Sequence, residues 1–136
     1  MPSWKTIKNL RIKDGQASFP FPDTLKQNLL SSSIKIHYLY ITQCRKDVLY
    51  LVTSDSSKSG SLNKDLARNV ITFFSTRSDE FPREFNTYGE IECPLTSTPE
   101  TLTIDIGRTN STLAKDVEGY MVIEIRGEIE NELLIL

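Results

Sequence analysis

Thr101-Leu102-Thr103-Ile104-Asp105-Ile106 alternates without a break, with Leu102, Ile104 and Ile106 on one side and Thr101, Thr103 and Asp105 on the other. An extended strand sends successive side chains to opposite faces, so this period of two marks a strand with one face in a core and one towards solvent. The same period returns from Gly119, where Met121, Ile123, Ile125 and Ile129 share parity against Glu124, Arg126, Glu128 and Glu130.

Working outward, residues 34–42 are apolar on both parities. Ile34, Ile36, Tyr38 and Tyr40 fall on one face, Leu39 and Ile41 on the other, as expected of an inner strand. Val48-Leu49-Tyr50-Leu51-Val52-Thr53 follows a polar turn at 43–46, and the two runs are predicted to pair as a hairpin. Val70, Ile71, Phe73 and Phe74 predict another buried strand, and 88–93 a short one stopped by Pro94. Near the start, Asp14-Gly15 supplies positive φ cheaply and predicts a two-residue turn between 5–13 and 16–19. Pro20 and Pro22 then end the returning strand, since proline lacks an amide donor. Asp23 or Thr24 caps a short helical stretch carrying Leu25, Leu29 and Leu30, ended by Ser31-Ser32-Ser33. Polar runs at 55–61, 77–87 and 107–118 read as loops, with one further helical turn at 62–68. The sum is an all-β protein of about eight strands, an antiparallel, jelly-roll-like β-sandwich.

At 136 residues the chain fits one sandwich domain over 1–136, long enough to bury a core without staples. Its formal charge of −2 and scattered Lys and Arg give no dense basic stripe, so nucleic acid is not an expected partner. The densest cationic patch is Lys5, Lys8, Arg11 and Lys13. Cys44 and Cys93 are far apart, follow no metal-ligand spacing and read as free thiols. No apolar run approaches the roughly 20 residues that span a bilayer, and the first residues lack a signal peptide's apolar stretch.

Catalysis finds no support in the residue pattern. Proton transfer to or from a nucleophile usually needs a histidine, and the only one, His37, sits mid-strand between Ile36 and Tyr38. One histidine with two separated cysteines does not assemble a zinc site, and Asp105, Asp116 and Glu118 are too dispersed for a calcium loop. Glu90 and Glu92 share a strand face, which any outward sheet surface also produces. Tyr38, Tyr40, Tyr50, Phe73 and Phe74 suggest a stacking platform, but at strand spacing core packing explains them as well. No cofactor, no metal and no enzyme activity are expected.

The 130–136 tail stands out. Glu128, Glu130 and Glu132 lead into Leu133, Leu134, Ile135 and Leu136. Burying each such side chain contributes roughly 1.5–3 kcal/mol, against about 1–2 kcal/mol per residue of backbone ordering. The tail therefore needs a ready groove or sheet edge, on its own domain or on a neighbour, and is the candidate interface.

Three stretches carry a family likeness. They are Val48-Leu49-Tyr50-Leu51-Val52-Thr53-Ser54-Asp55, Leu102-Thr103-Ile104-Asp105-Ile106, and Gly119-Tyr120-Met121-Val122-Ile123-Glu124-Ile125. They resemble small β-sandwich virion proteins of Polinton-like and adintovirus-like DNA viruses, and more broadly the single jelly-roll domains of viral capsids. The resemblance implies a non-enzymatic assembly subunit, a capsid or minor capsid protein, that meets itself or a larger structural protein as a homo- or hetero-oligomer. Its place would be the virion; without the resemblance, the cytoplasm. The alternative is an adaptor that recognises a peptide or glycan through the loops 55–61, 77–87 and 108–118.

Overall fold

Four antiparallel ladders nest inside one another along the chain. The first strand, β1 (Ser3–Ile12), pairs with the last, β9 (Glu118–Ile129). Within that pair, β2 (Gln16–Pro20) meets β8 (Thr101–Arg108). Inside that again, β3 (Leu29–Gln43) meets β6 (Arg83–Asn86) and β7 (Cys93–Pro94), which lie end to end along one of its edges. Innermost, β4 (Val48–Ser54) meets β5 (Asn69–Thr76). The chain is thus one long hairpin with its ends at β1 and β9. It rolls up because β9 also pairs with β3, and β8 with β4. The result is two antiparallel sheets, β1-β9-β3-β6 with β7 also paired to β3, and β2-β8-β4-β5. This is a jelly-roll sandwich, as the alternation predicts.

The computed structural model describes residues 3–23, 25, 29–45, 48–54, 69–76, 83–86, 92–95, 100–109 and 112–130. The expected loop 55–61, helical turn 62–68 and tail residues Leu133, Leu134, Ile135 and Leu136 lie outside them. Both sheets supply inward side chains to a common core, with Leu39, Tyr50, Val52, Ile104, Ile106, Met121 and Ile123 fully enclosed.

Several expectations are corrected. Residues 34–42 and 48–54 do not form a hairpin, because β3 and β4 belong to different sheets. The polar stretch between them carries the chain across the sandwich. At Asp14-Gly15 the turn is as read, with φ of 52° and 77° and a bridge between Lys13 and Gln16, but β2 then leaves for the other sheet. A Cβ on Gly15 would sit 2.3 Å from the Ala114 carbonyl oxygen, so only glycine fits there. Leu29, Leu30 and the three serines belong to β3, not to a helix; Leu25 N–H reaches the Pro22 carbonyl at 3.0 Å. The expected loop 77–87 contains β6. Trp4 is inside β1 opposite Gly127 and partly buried against the core.

The largest correction concerns phase along β3. Ile34, Ile36, Leu39 and Ile41 are all buried, which no single parity allows. A register shift against β9 between Ile36 and Tyr38 inserts one extra residue, His37. Such a bulge reverses which parity faces in, so Tyr38 and Tyr40 turn outward while Leu39 and Ile41 turn inward.

Candidate functional site

The bulge shapes the outer face of the β1-β9-β3 sheet. Pairing of β9 with both neighbours sets side chains across that face in rows. Arg11, Tyr120 and Tyr40 make the first row, Asn9, Val122 and Tyr38 the second, and Ile7, Glu124 and Lys35 the third. Lys5, Arg126 and Ser33 follow, then Ser3, Glu128 and Ser31. Tyr120 is 43% exposed and Tyr38 37%, so the tyrosines of this face meet solvent.

At the centre is Glu124, read from sequence as an outward charge but only 4% exposed. His37 Nε2 lies 3.2 Å from Glu124 Oε1, and Arg126 Nε forms an ion pair with Oε2. Burial on its own would raise this carboxyl's pKa. The bonds from His37 and Arg126, with the charges of Arg126 and Lys5, more than offset it and hold the group below its ordinary 4.5. His37 is thus tied to a carboxylate on the neighbouring strand.

Beside this cluster an open groove of about 610 Å³ runs along the sheet end, lined by Lys5, Ser31, Ser32, Ser33, Glu92 and Arg126 among others. The Ser33 hydroxyl donates to Glu92 Oε1, and the Leu95 N–H donates to the Ser32 carbonyl at 2.8 Å. Glu90, and with it the Glu90–Glu92 pair, lies outside the described residues.

A second polar cluster closes one end of the sandwich. Tyr50 is fully enclosed; its hydroxyl accepts from the Arg45 N–H at 3.0 Å and donates to Asp116 Oδ2 at 3.1 Å. Arg108 stands 3.6 Å from Asp116 Oδ1. Burial, followed by the charge of Asp116, pushes the Cys44 thiol up to about 11, which leaves it a poor nucleophile at neutral pH. Burial also pushes Cys93 up. Both cysteines are free.

Asp105, Asp116 and Glu118, too dispersed in sequence for a calcium loop, each hold a structural partner. Asp105 is buried and accepts from Gln16 Nε2 at 2.8 Å, and Glu118 accepts the Asp14 N–H at 2.7 Å. Among the described residues no group of three His, Cys, Asp or Glu is placed to hold a metal ion. No helix among them is long and apolar enough to cross a membrane.

The suggested aromatic platform divides. Tyr50 and Phe74 stack in the core with centroids 5.2 Å apart, whereas Tyr38, Tyr40 and Phe73 point outward. Phe73, expected in the core, is 67% exposed on the opposite sheet. It pairs across to Leu51, with Leu49 two residues along, itself 41% exposed. Sequence reasoning missed the Glu124–His37–Arg126 cluster because Glu124 follows the outward parity of its strand. Only the pairing of β9 between β1 and β3 covers it.

These features define a jelly-roll domain whose surface features lie on its sheet faces. No family model, curated protein or solved structure matches the chain.

Proposed function

We propose that this chain is a non-enzymatic structural subunit that assembles with copies of itself or with a larger structural protein. Jelly rolls serve this role in viral capsids, among other uses. The observation that carries the reading is the apolar patch of Phe73, Leu49 and Leu51. It lies on the last two strands of the order β2-β8-β4-β5. An exposed phenylalanine flanked by leucines costs solubility unless another surface covers it, and an edge strand beside it offers backbone groups for further pairing. The likeness of 48–55, 102–106 and 119–125 to virion proteins supports the same role and a place in the virion.

The test is mass in solution over a range of concentrations, by sedimentation. The wild-type chain should form oligomers, and Phe73→Asp should dissociate them while its far-UV spectrum stays that of β-sheet. A wild-type chain that is monomeric alone and with candidate structural partners overturns the reading. Removing residues 133–136 asks separately whether the apolar tail contributes.

A second reading, an adaptor for a peptide or glycan, draws on the hydroxyl-rich groove at Ser31, Ser32 and Ser33 rather than on the loops named from sequence. Binding on a glycan array that Ser32→Trp abolishes would favour it.

A further inference from the structure

We propose that the free edge of β1, with the groove beneath it, receives the C-terminal segment 130–136 of a second copy of the chain, laid against β1 as an added antiparallel strand. Among the described residues β1 has a strand, β9, on one side only, and β2 likewise ends its own sheet. Between β1 and β2 opens a groove of about 480 Å³, lined by Trp4, Thr6, Lys8, Leu10, Phe19 and Pro20 among others. Trp4 and Leu10 are only partly buried against the core. On the outer face of the same strand Ile7 is 54% exposed. β1 thus carries apolar surface on both faces with a backbone edge between them. An edge of this kind gains affinity from main-chain pairing and specificity from pockets for alternate side chains.

The segment Glu130-Asn131-Glu132-Leu133-Leu134-Ile135-Leu136 complements it. A strand whose end is apolar on both parities needs apolar neighbours on both faces. One antiparallel register supplies them. On the groove side Leu136 falls opposite Trp4, Leu134 opposite Thr6 and Glu132 opposite Lys8, while Leu133 falls opposite Ile7 outside. Lys8 is the one charged residue lining the groove, and this register gives it a carboxylate. A slip of one residue sends both glutamates to the other face. A parallel alignment sets them against Trp4 instead.

The register also decides whose segment docks. β9 finishes beside Ser3, which pairs with Glu128, whereas residue 130 must begin opposite Leu10. From Ser3 to Leu10 is about 24 Å at strand rise, and from Glu128 to Glu130 the chain covers about 7 Å. A chain cannot reach its own edge in this direction, so the strand comes from another copy. The inference rests on the assembly reading in one respect, that copies of the chain meet.

Disulfide trapping between full-length chains tests it. Opposed residues of paired strands lie within disulfide reach, so a mixture of Thr6→Cys and Leu134→Cys chains under mild oxidation should yield a linked dimer. Leu133→Cys, turned to the other face, should link to Thr6→Cys at least tenfold less. Wild-type chains, with Cys93 buried and Cys44 half-buried, give the background. Truncating Leu134 and Leu136 to alanine together should raise the dissociation constant by roughly 100-fold. Lys8→Glu should lower the linked fraction, and Glu132→Lys on the partner chain should restore it. An unchanged far-UV spectrum shows that each variant folds.

Three results would overturn the proposal: no link in the mixture, equal linking through positions 133 and 134, or a Thr6→Cys/Leu134→Cys chain that closes on itself as a monomer. Chains that oligomerise through Phe73 yet give no link leave the assembly reading standing and sink the exchange. A link that persists between Phe73→Asp chains supports the exchange without the Phe73 patch.

Discussion

Replacing Tyr50 with phenylalanine removes one oxygen from the interior and leaves the packing in place. The ring still stacks on Phe74, at 5.2 Å between centroids and 26° between planes, so no cavity opens. What goes is the hydroxyl that accepts from the Arg45 N–H and donates to Asp116. A neutral bond contributes about 1 kcal/mol net, and one to a charged group about 1.5–3 kcal/mol. The Asp116 side chain is 29% exposed and keeps Arg108 at 3.6 Å, so water and the guanidinium offset part of its loss.

The expected destabilisation is about 2 kcal/mol, or roughly 6–8 °C in Tm for a domain of this size. Urea unfolding followed by far-UV circular dichroism should show a lower midpoint at unchanged m. In an Asp116→Asn background the same change should cost about 1 kcal/mol less, because the charged part of the bond is already gone. A cost under about 0.5 kcal/mol, or strict additivity with Asp116→Asn, would refute the claim that this hydroxyl ties the sandwich end together.

The same phenol carries an alkaline signature. Burial comes first, with Asp116 adding to it and the Arg45 N–H opposing, and together they push Tyr50 up to about 12 from its ordinary 10. A folded pKa above the unfolded one means that its stabilisation is complete below pH 10 and drains away between 10 and 12. The Tyr50→Phe variant should lack that part of the alkaline decline. Glu124 works in the opposite sense. Its carboxyl is held below 4.5, so its contribution is present above that pH and is lost as acid protonates it. Acid titration of wild type against Glu124→Gln should show a smaller pH dependence below 4.5 in the variant; identical curves would contradict the cluster's role. Cys44 should react with iodoacetamide at pH 8 far more slowly than a free thiol, with the difference vanishing in urea.

Which residues are apolar on alternate positions was legible from the chain, and β8 and β9 follow it almost residue for residue. Pairing was not legible. Residues 34–42 and 48–54 have the composition of a hairpin, and nothing local records that their shared turn crosses between sheets. The bulge at His37 was hidden for a related reason: two apolar phases in one strand look the same whether the strand is buried on both faces or slips by one residue. Glu124 and Phe73 mark the limit in opposite directions. A glutamate with outward parity is covered by its neighbours on β3 and β9, and a phenylalanine in an apolar run is left in solvent. Their burial is set by sheet position, which depends on pairings between residues far apart in sequence.

The face that holds Glu124, His37 and the outward tyrosines depends on β9 lying between β1 and β3. Cross-strand backbone contacts of Ile125 in an isotope-labelled sample probe that placement directly by nuclear Overhauser spectroscopy. The rolled hairpin predicts contacts from Ile125 to both Thr6 and Ile34, its register partners on either side. Contacts to only one of them, or to a residue of β8 in their place, would contradict the topology and the faces drawn from it.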